Sequence, residues 1–470
     1  MWTALLATVS CLPCHQAIVR SFGDTGMARS ISKPSAEARL QQAGAHGAAK
    51  WAVRWADGSL RHTVDRQTFT MDWAVGSGTE GKSYLLQVGD ALFQSPFAWY
   101  ARRAAWDLSP GYGAGKQIDF LRPVTSDCLF CHAGRASPAP GTVNRYTAAD
   151  PIPEPGIGCA RCHGSGEEHA RKPDRKNIVN PARLPAVERD SVCEQCHLSG
   201  AARIPNPGKS FSDFRPGMTL ESVFSVYVPA LIGDPAKFKV VSHAEQLALS
   251  RCATASAGKL WCGTCHDPHR KPVDPGSWYR QRCVQCHEQT KPHGDDCGGC
   301  HMPRTQAYDG GHTAFTDHRI RRRGAPSPLS ASSTTLRAWR EPPPELRARG
   351  LGLAYAGTGD LRKGYELLRG AALDGEVQAA LGLIYLRTER TGMAVQVLED
   401  AVNAEPGSSV RRLNLAAALL AAGERERAKA QALQAIALEP MLLDAYVLLA
   451  EIEPRRAAFW RERFERRWKR

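Results

Sequence analysis

No stretch of 18 or more apolar residues occurs in this 470-residue chain. A membrane-spanning helix needs about 20, so no transmembrane segment is expected. Aromatic residues are scarce at 7 %, so a soluble domain of this composition has no structural need for many histidines. The amino terminus lacks a basic run: Trp2 to Val9 is mildly apolar, and a cysteine motif already opens at Cys11. A signal peptide needs a charged start, an apolar core and a cleavage site ahead of the mature domain, and residues 1–10 have no room for all three.

Cysteine, by contrast, is plentiful. Fifteen are too many for an ordinary cytosolic enzyme, and their spacing decides among disulfides, zinc and haem. The pattern Cys-x-x-Cys-His occurs seven times: Cys11 and Cys14 with His15, Cys128 and Cys131 with His132, Cys159 and Cys162 with His163, and Cys193 and Cys196 with His197. It recurs at Cys262 and Cys265 with His266, Cys283 and Cys286 with His287, and Cys297 and Cys300 with His301. Chance gives roughly 0.015 copies in a chain of this composition. Two thiols one helical turn apart reach the two vinyl groups of one haem as thioethers, and the adjacent histidine is directed at the iron as proximal ligand. Zinc ribbons need a second cysteine pair and no histidine after each, and a thioredoxin-like site shows one pair in a βαβ context. The expected cofactor is therefore haem c, seven per chain and covalent. Cys252 is left over and reads as a small buried or free thiol. The formal charge of +14 ordinarily points to an anionic partner. Two propionates on each of seven haems would bring a charge on the order of −14, so no nucleic-acid partner is expected.

In this reading seven of the fifteen histidines are proximal ligands; His46, His62, His169, His243, His269, His293, His312 and His318 remain. Imidazole on both faces gives a low-spin, saturated iron suited to electron transfer. His169 follows the third motif after Gly-Ser-Gly-Glu-Glu, and His269 lies three residues beyond His266. His293 lies between the last two motifs, His312 and His318 follow the seventh, and His243 heads an apparent helix. These six are the expected distal ligands, and either His46 or the thioether of Met27 would complete the set. His318 is expected to serve a haem other than the one at Cys300. His62, in an alternating stretch, is expected to face solvent.

The expected fold class is mainly α. An irregular, haem-packed multihaem domain carries a small β-rich N-terminal region and is followed by an α–α solenoid. Residues 1–125 form an N-terminal haem region with β-hairpins: Lys50 to Arg54 and Leu60 to Val64 flank Asp57-Gly58, while Ser83 to Val88 and Ala91 to Phe93 flank Gly89-Asp90. Residues 126–320 hold six motifs with Gly/Pro-rich connections and too few apolar side chains for an ordinary core, so porphyrin is expected to supply buried surface. Residues 321–344 read as a Pro/Ser/Arg-rich linker. From 345 to 470 the pattern is tetratricopeptide-like. Leu381-Gly382, Tyr385, Ala394, Leu398, Ala401 and Pro406 are followed 34 residues on by Leu415-Ala416, Leu419, Ala428, Ala435 and Pro440. A degenerate copy, Leu351-Gly352, Tyr355 and Leu368, precedes them. Such stripes need only neighbouring repeats to be buried, and the stack offers a surface for a protein or peptide partner.

These features resemble those of bacterial multihaem c-type cytochromes with a C-terminal tetratricopeptide region. Besides the haem motifs, the resemblance rests on Thr25-Gly26-Met27-Ala28-Arg29, Val75-Gly76-Ser77-Gly78, Trp99-Tyr100 and Leu108-Ser109-Pro110-Gly111-Tyr112. Further matches are Gly156-Ile157-Gly158-Cys159, Cys265-His266-Asp267-Pro268-His269 and Thr316-Asp317-His318. It implies electron transfer with redox partner proteins in the periplasm or outside the cell, and hence an export signal missing from the N-terminus of this chain. It does not imply a settled substrate. The chain departs from the family at Thr79 to Lys82, where a histidine would be expected; if that residue is a distal ligand in relatives, one haem here is open or takes another ligand. An electron-transfer wire is the leading expectation. The alternative is a multihaem oxidoreductase acting on a small nitrogen or sulfur compound at one open haem, although no motif carries lysine in place of its histidine. A third reading makes the haems structural in an assembly protein.

Overall fold

The computed structural model describes residues 11–35, 41–113, 117–230, 239–287, 296–307, 309–310, 313–321 and 334–468. His293 and His312 lie outside them.

Two tight turns seed the β-rich region. Asp57 and Gly58 both have positive φ, 50° and 73°, and join Ala49–Ala56 to Ser59–Val64 with Ala56 opposite Ser59. Positive φ at both central residues matches the twist of a hairpin. Gly89, at φ 63°, opens the turn between Gly81–Val88 and Ala91–Tyr100. Around these hairpins grow a four-stranded antiparallel sheet, Gln42–His46 to Gln67–Thr70 in sequence order, and a six-stranded one centred on Ala91–Tyr100. Their facing side chains, among them Val53, Leu60, Tyr84, Phe97 and Trp106, form one core.

His62 is a correction. The strand Ser59–Val64 alternates as read, but Leu60, His62 and Val64 are its buried set. His62 is fully enclosed, its Nδ1 2.6 Å from Ser95 Oγ and its ring against Tyr84, Phe97 and Trp106. Alternation defines two faces of a strand; the sheet packed across it decides which is dry.

Between residues 126 and 321 the helices are short. Ala160–His163, Cys262–Cys265, Pro275–Val284 and Cys297–His301 bury no side chain at all. Phe130, Phe211, Phe214 and Phe224 gather in a small cluster. A three-stranded sheet joins Ala202–Pro205, Phe224–Pro229 and Leu336–Ala338. The last part of the Pro/Ser/Arg-rich stretch is therefore folded: Leu336–Ala338 is a strand, and Arg340 pairs with Glu194 at 2.5 Å.

The described C-terminal residues form an array of eight α-helices from Arg347 to Trp468. Aspartate and serine caps start several of them; Asp360 accepts from Lys363 N, Asp374 from Val377 N and Ser408 from Arg411 N. Small residues let the helices close up. A Cβ on Gly352 would lie 2.8 Å from Leu368, Gly382 is similarly pressed on Leu398, and Ala416, 34 residues after Gly382, is fully buried. The array does not hang free. Trp468 packs 4.9 Å from Phe93 and 5.1 Å from Phe69 of the β-rich region. The buried carboxylate of Glu439 accepts hydrogen bonds from Val143 N, Asn144 N and Ser409 Oγ.

Burial lowers the His62 pKa from 6.5 to about 3. Between those values the unfolded chain binds a proton that the folded chain refuses, so stability is lost as pH falls from 6.5 towards 3, by about 1.4 kcal/mol per pH unit. Unfolding free energies from urea titrations of the full chain, followed by tryptophan fluorescence between pH 7 and 4, should include this slope. They should flatten by one proton in His62→Gln. Parallel profiles for the two proteins would remove His62 as the cause.

Candidate cofactor-binding site

Each Cys-x-x-Cys-His segment forms a turn of helix. The histidine N–H donates to the carbonyl of the first cysteine in four of them, His15 to Cys11, His163 to Cys159, His266 to Cys262 and His287 to Cys283, at 2.9 to 3.0 Å. Asp296 caps the turn of the last motif by accepting from Gly299 N at 2.7 Å. Thiols and imidazole are thus presented together, one turn apart. None of the fifteen cysteines is in a disulfide. Among the described residues no three His, Cys, Asp or Glu side chains converge on one metal-sized point, which is how cysteine pairs would have to combine for zinc.

The motifs surround one continuous cavity of about 3920 Å³, lined by cysteines and histidines of all seven and by Met27, His169, His243, His269 and His318. A site for one drug-sized ligand takes about 300–1,000 Å³, so this space accommodates several. Within it the motifs meet in an order that differs from the chain. The Cys11 thiol lies beside Cys159, Cys131 beside Cys196, and Cys193 beside Cys262. Cys162 lies within electrostatic reach of Cys193, Cys265 of Cys283, and Cys283 of Cys297. The first motif, grouped by position with the β-hairpins, therefore lies beside the third. Cys252 is a half-buried free thiol near Cys265 and Cys283.

Three pairs of imidazoles face one another across the cavity. His15 and His169 have ring centres 6.2 Å apart with planes at 13°, His163 and His269 5.9 Å at 19°, and His266 and His318 6.1 Å at 27°. A metal–imidazole bond of about 2.0–2.1 Å, added to about 1.2 Å from ring centre to nitrogen on each side, gives about 6.3 Å for two rings sharing one axial metal. His197 and His243 stand closer, 5.2 Å at 83°, and His243 also meets His318 at 4.8 Å.

The hydrogen bonds orient these rings. Nδ1 lies 2.7 Å from a backbone carbonyl in His163 (Val179), His301 (Arg321) and His318 (Thr316), and 2.9 Å from one in His169 (Asp174). His266 Nδ1 lies 3.2 Å from Tyr279 Oη, and His269 Nδ1 3.3 Å from Asp267. A carbonyl claims the Nδ1 proton and leaves Nε2 as the free lone pair, the arrangement found around metal-bound histidine. Burial holds His132, His163, His197 and His318 below the ordinary histidine range and takes His266 to about 4 and His243 to about 3. The neutral ring is the form that binds metal. The partners Val179, Arg321 and Tyr279 carry no sequence signature, because two of them act through the backbone.

Not every candidate is in the cavity. His46 is the end of a β-strand, stacked on Trp51 and 3.5 Å from Asp107. His132, His287 and His301 have no imidazole facing them among the described residues.

No protein-family model matches the chain. The chain is similar to polyhaem cytochromes. Over 158 residues it is 25 % identical to the C-type polyheme cytochrome OmcB of two strains of Geobacter sulfurreducens. That match takes in 30 % of this chain, which spans 20 % of the length of those relatives. The solved structures named MamA AMB-1 and MamA MSR-1 are 26 % and 25 % identical to it, cover 27 % of it and give TM-scores of 0.24.

Proposed function

We propose that this chain is an exported multihaem c-type cytochrome that carries electrons along seven covalently bound haems and docks a redox partner protein through its helical repeats. The observation that carries this is the three imidazole pairs, each containing a motif histidine, set 5.9 to 6.2 Å apart. Similarity to a polyhaem cytochrome supports the same cofactor class.

In this reading each bound haem supplies a one-electron iron couple, and the chain does the rest. The two cysteines of a motif would hold the macrocycle and the motif histidine would bind its iron, with His169, His269, His243 and His318 as second iron ligands at the first, third, fourth and fifth motifs. Backbone carbonyls on Nδ1 keep the rings from turning. His293 and His312, outside the described residues, are proposed for the remaining late motifs. Arg175, Arg183, Arg251, Arg270, Arg280 and Arg282 line the cavity and offer cations to propionates. The thiol contacts give the carriers the order first, third, fourth, fifth, sixth, seventh, with the second beside the fourth. No helix among the described residues is long and apolar enough to cross a membrane. The proposed location is the periplasm or beyond, where these motifs receive haem.

Mass spectrometry of protein matured with the haem-attachment machinery should show seven additions of haem mass; five or fewer would end the claim that every motif is used. His318→Ala should leave that count at seven, turn one haem in seven high-spin by electron paramagnetic resonance, and raise its potential, because imidazole donation favours ferric iron. A variant that stays wholly low-spin with unchanged potentials would show that His318 is no ligand.

A further inference from the structure

Like the sixth and seventh motifs, the second has no facing imidazole among the described residues. Facing His15, His163, His197 and His266 is a second imidazole, but among the described residues none faces His132. Cys131 lies beside Cys196 of the fourth motif, and the fourth also reaches the third and fifth. The segment Thr25–Ser30 lies against it. Ser30 Oγ donates to the His132 carbonyl at 2.6 Å, and the Met27 carbonyl accepts from Ser30 N at 3.2 Å and Ile157 N at 3.1 Å. Gly156 presses on the Ala28 carbonyl so closely that no side chain would fit, and Gly26 lies against Ser77. The backbone on either side of Met27 is thus clamped, and Met27 lines the cavity together with Cys131 and His132. Glu80, the nearby carboxylate that follows Gly78, is engaged by Arg102 and Arg304 at 3.0 and 2.5 Å.

We infer that the haem of the second motif is held by His132 and the Met27 thioether and forms a side branch off the fourth. This rests on the proposed cytochrome function and adds to it one carrier unlike the other six. Thioether in place of imidazole raises the potential of a haem. An electron passing the fourth motif then falls onto the second and is retained there, a reservoir beside the wire.

The test uses full-length holoprotein. Wild type should be wholly low-spin, with one haem in seven titrating at higher potential than the rest. In Met27→His that component should be lost while all seven haems remain low-spin. In Met27→Ala one haem should become high-spin and bind carbon monoxide. Unchanged titration and spin state in both variants would overturn the assignment. So would a wild-type protein already carrying one high-spin, carbon monoxide-binding haem, which would mark an open site and favour an oxidoreductase. The first of these results, with seven haems counted and every iron low-spin, leaves the electron-transfer reading standing. A short haem count in wild type removes both.

Discussion

Pairs of imidazoles held about 6 Å apart are the constraint around which the middle of this chain is arranged. Its motif helices bury few side chains, and several bury none, so apolar burial contributes little to holding those. The pairs join residues far apart in sequence, His15 to His169, His163 to His269 and His266 to His318. Bridged by iron, each would close a loop of 50 to 150 residues (roughly), and closing loops of that length removes the most freedom from an unfolded chain. Metal binding and folding are then one process.

Two ordinary cores flank that region. The β-rich body has its aromatic interior around His62 and Trp106, and the helical array has its ladder of small residues at Gly352, Gly382 and Ala416. They lean on each other as well as on the cavity wall. Glu439 brings a buried carboxylate to two backbone N–H groups and a hydroxyl, and a charged acceptor so satisfied is worth more than a neutral one. Arg349 reaches from the first array helix to the Pro205 carbonyl at 2.8 Å, tying the array to the three-stranded sheet. The repeats are therefore set at a definite place relative to the cavity.

What is written in short-range spacing was legible. The seven motifs, the Asp57-Gly58 and Gly89-Asp90 turns and the 34-residue repeat each depend on residues within a few turns of chain, where spacing alone sets geometry. His169, His269 and His318 stood out by their nearness to motifs and His243 by heading an apparent helix, and all four line the cavity. His46 stood out as well, yet its strand carries it to Trp51 and Asp107 instead.

The sequence by itself determined the cofactor chemistry that is possible, the hairpins and the repeat period. Only the tertiary structure decided which imidazole faces which, that Cys11 meets Cys159 while Cys131 meets Cys196, that His62 is dry, and that Trp468 closes on Phe93. Those outcomes depend on how segments tens to hundreds of residues apart approach, and no local pattern of residues encodes the approach of a distant partner.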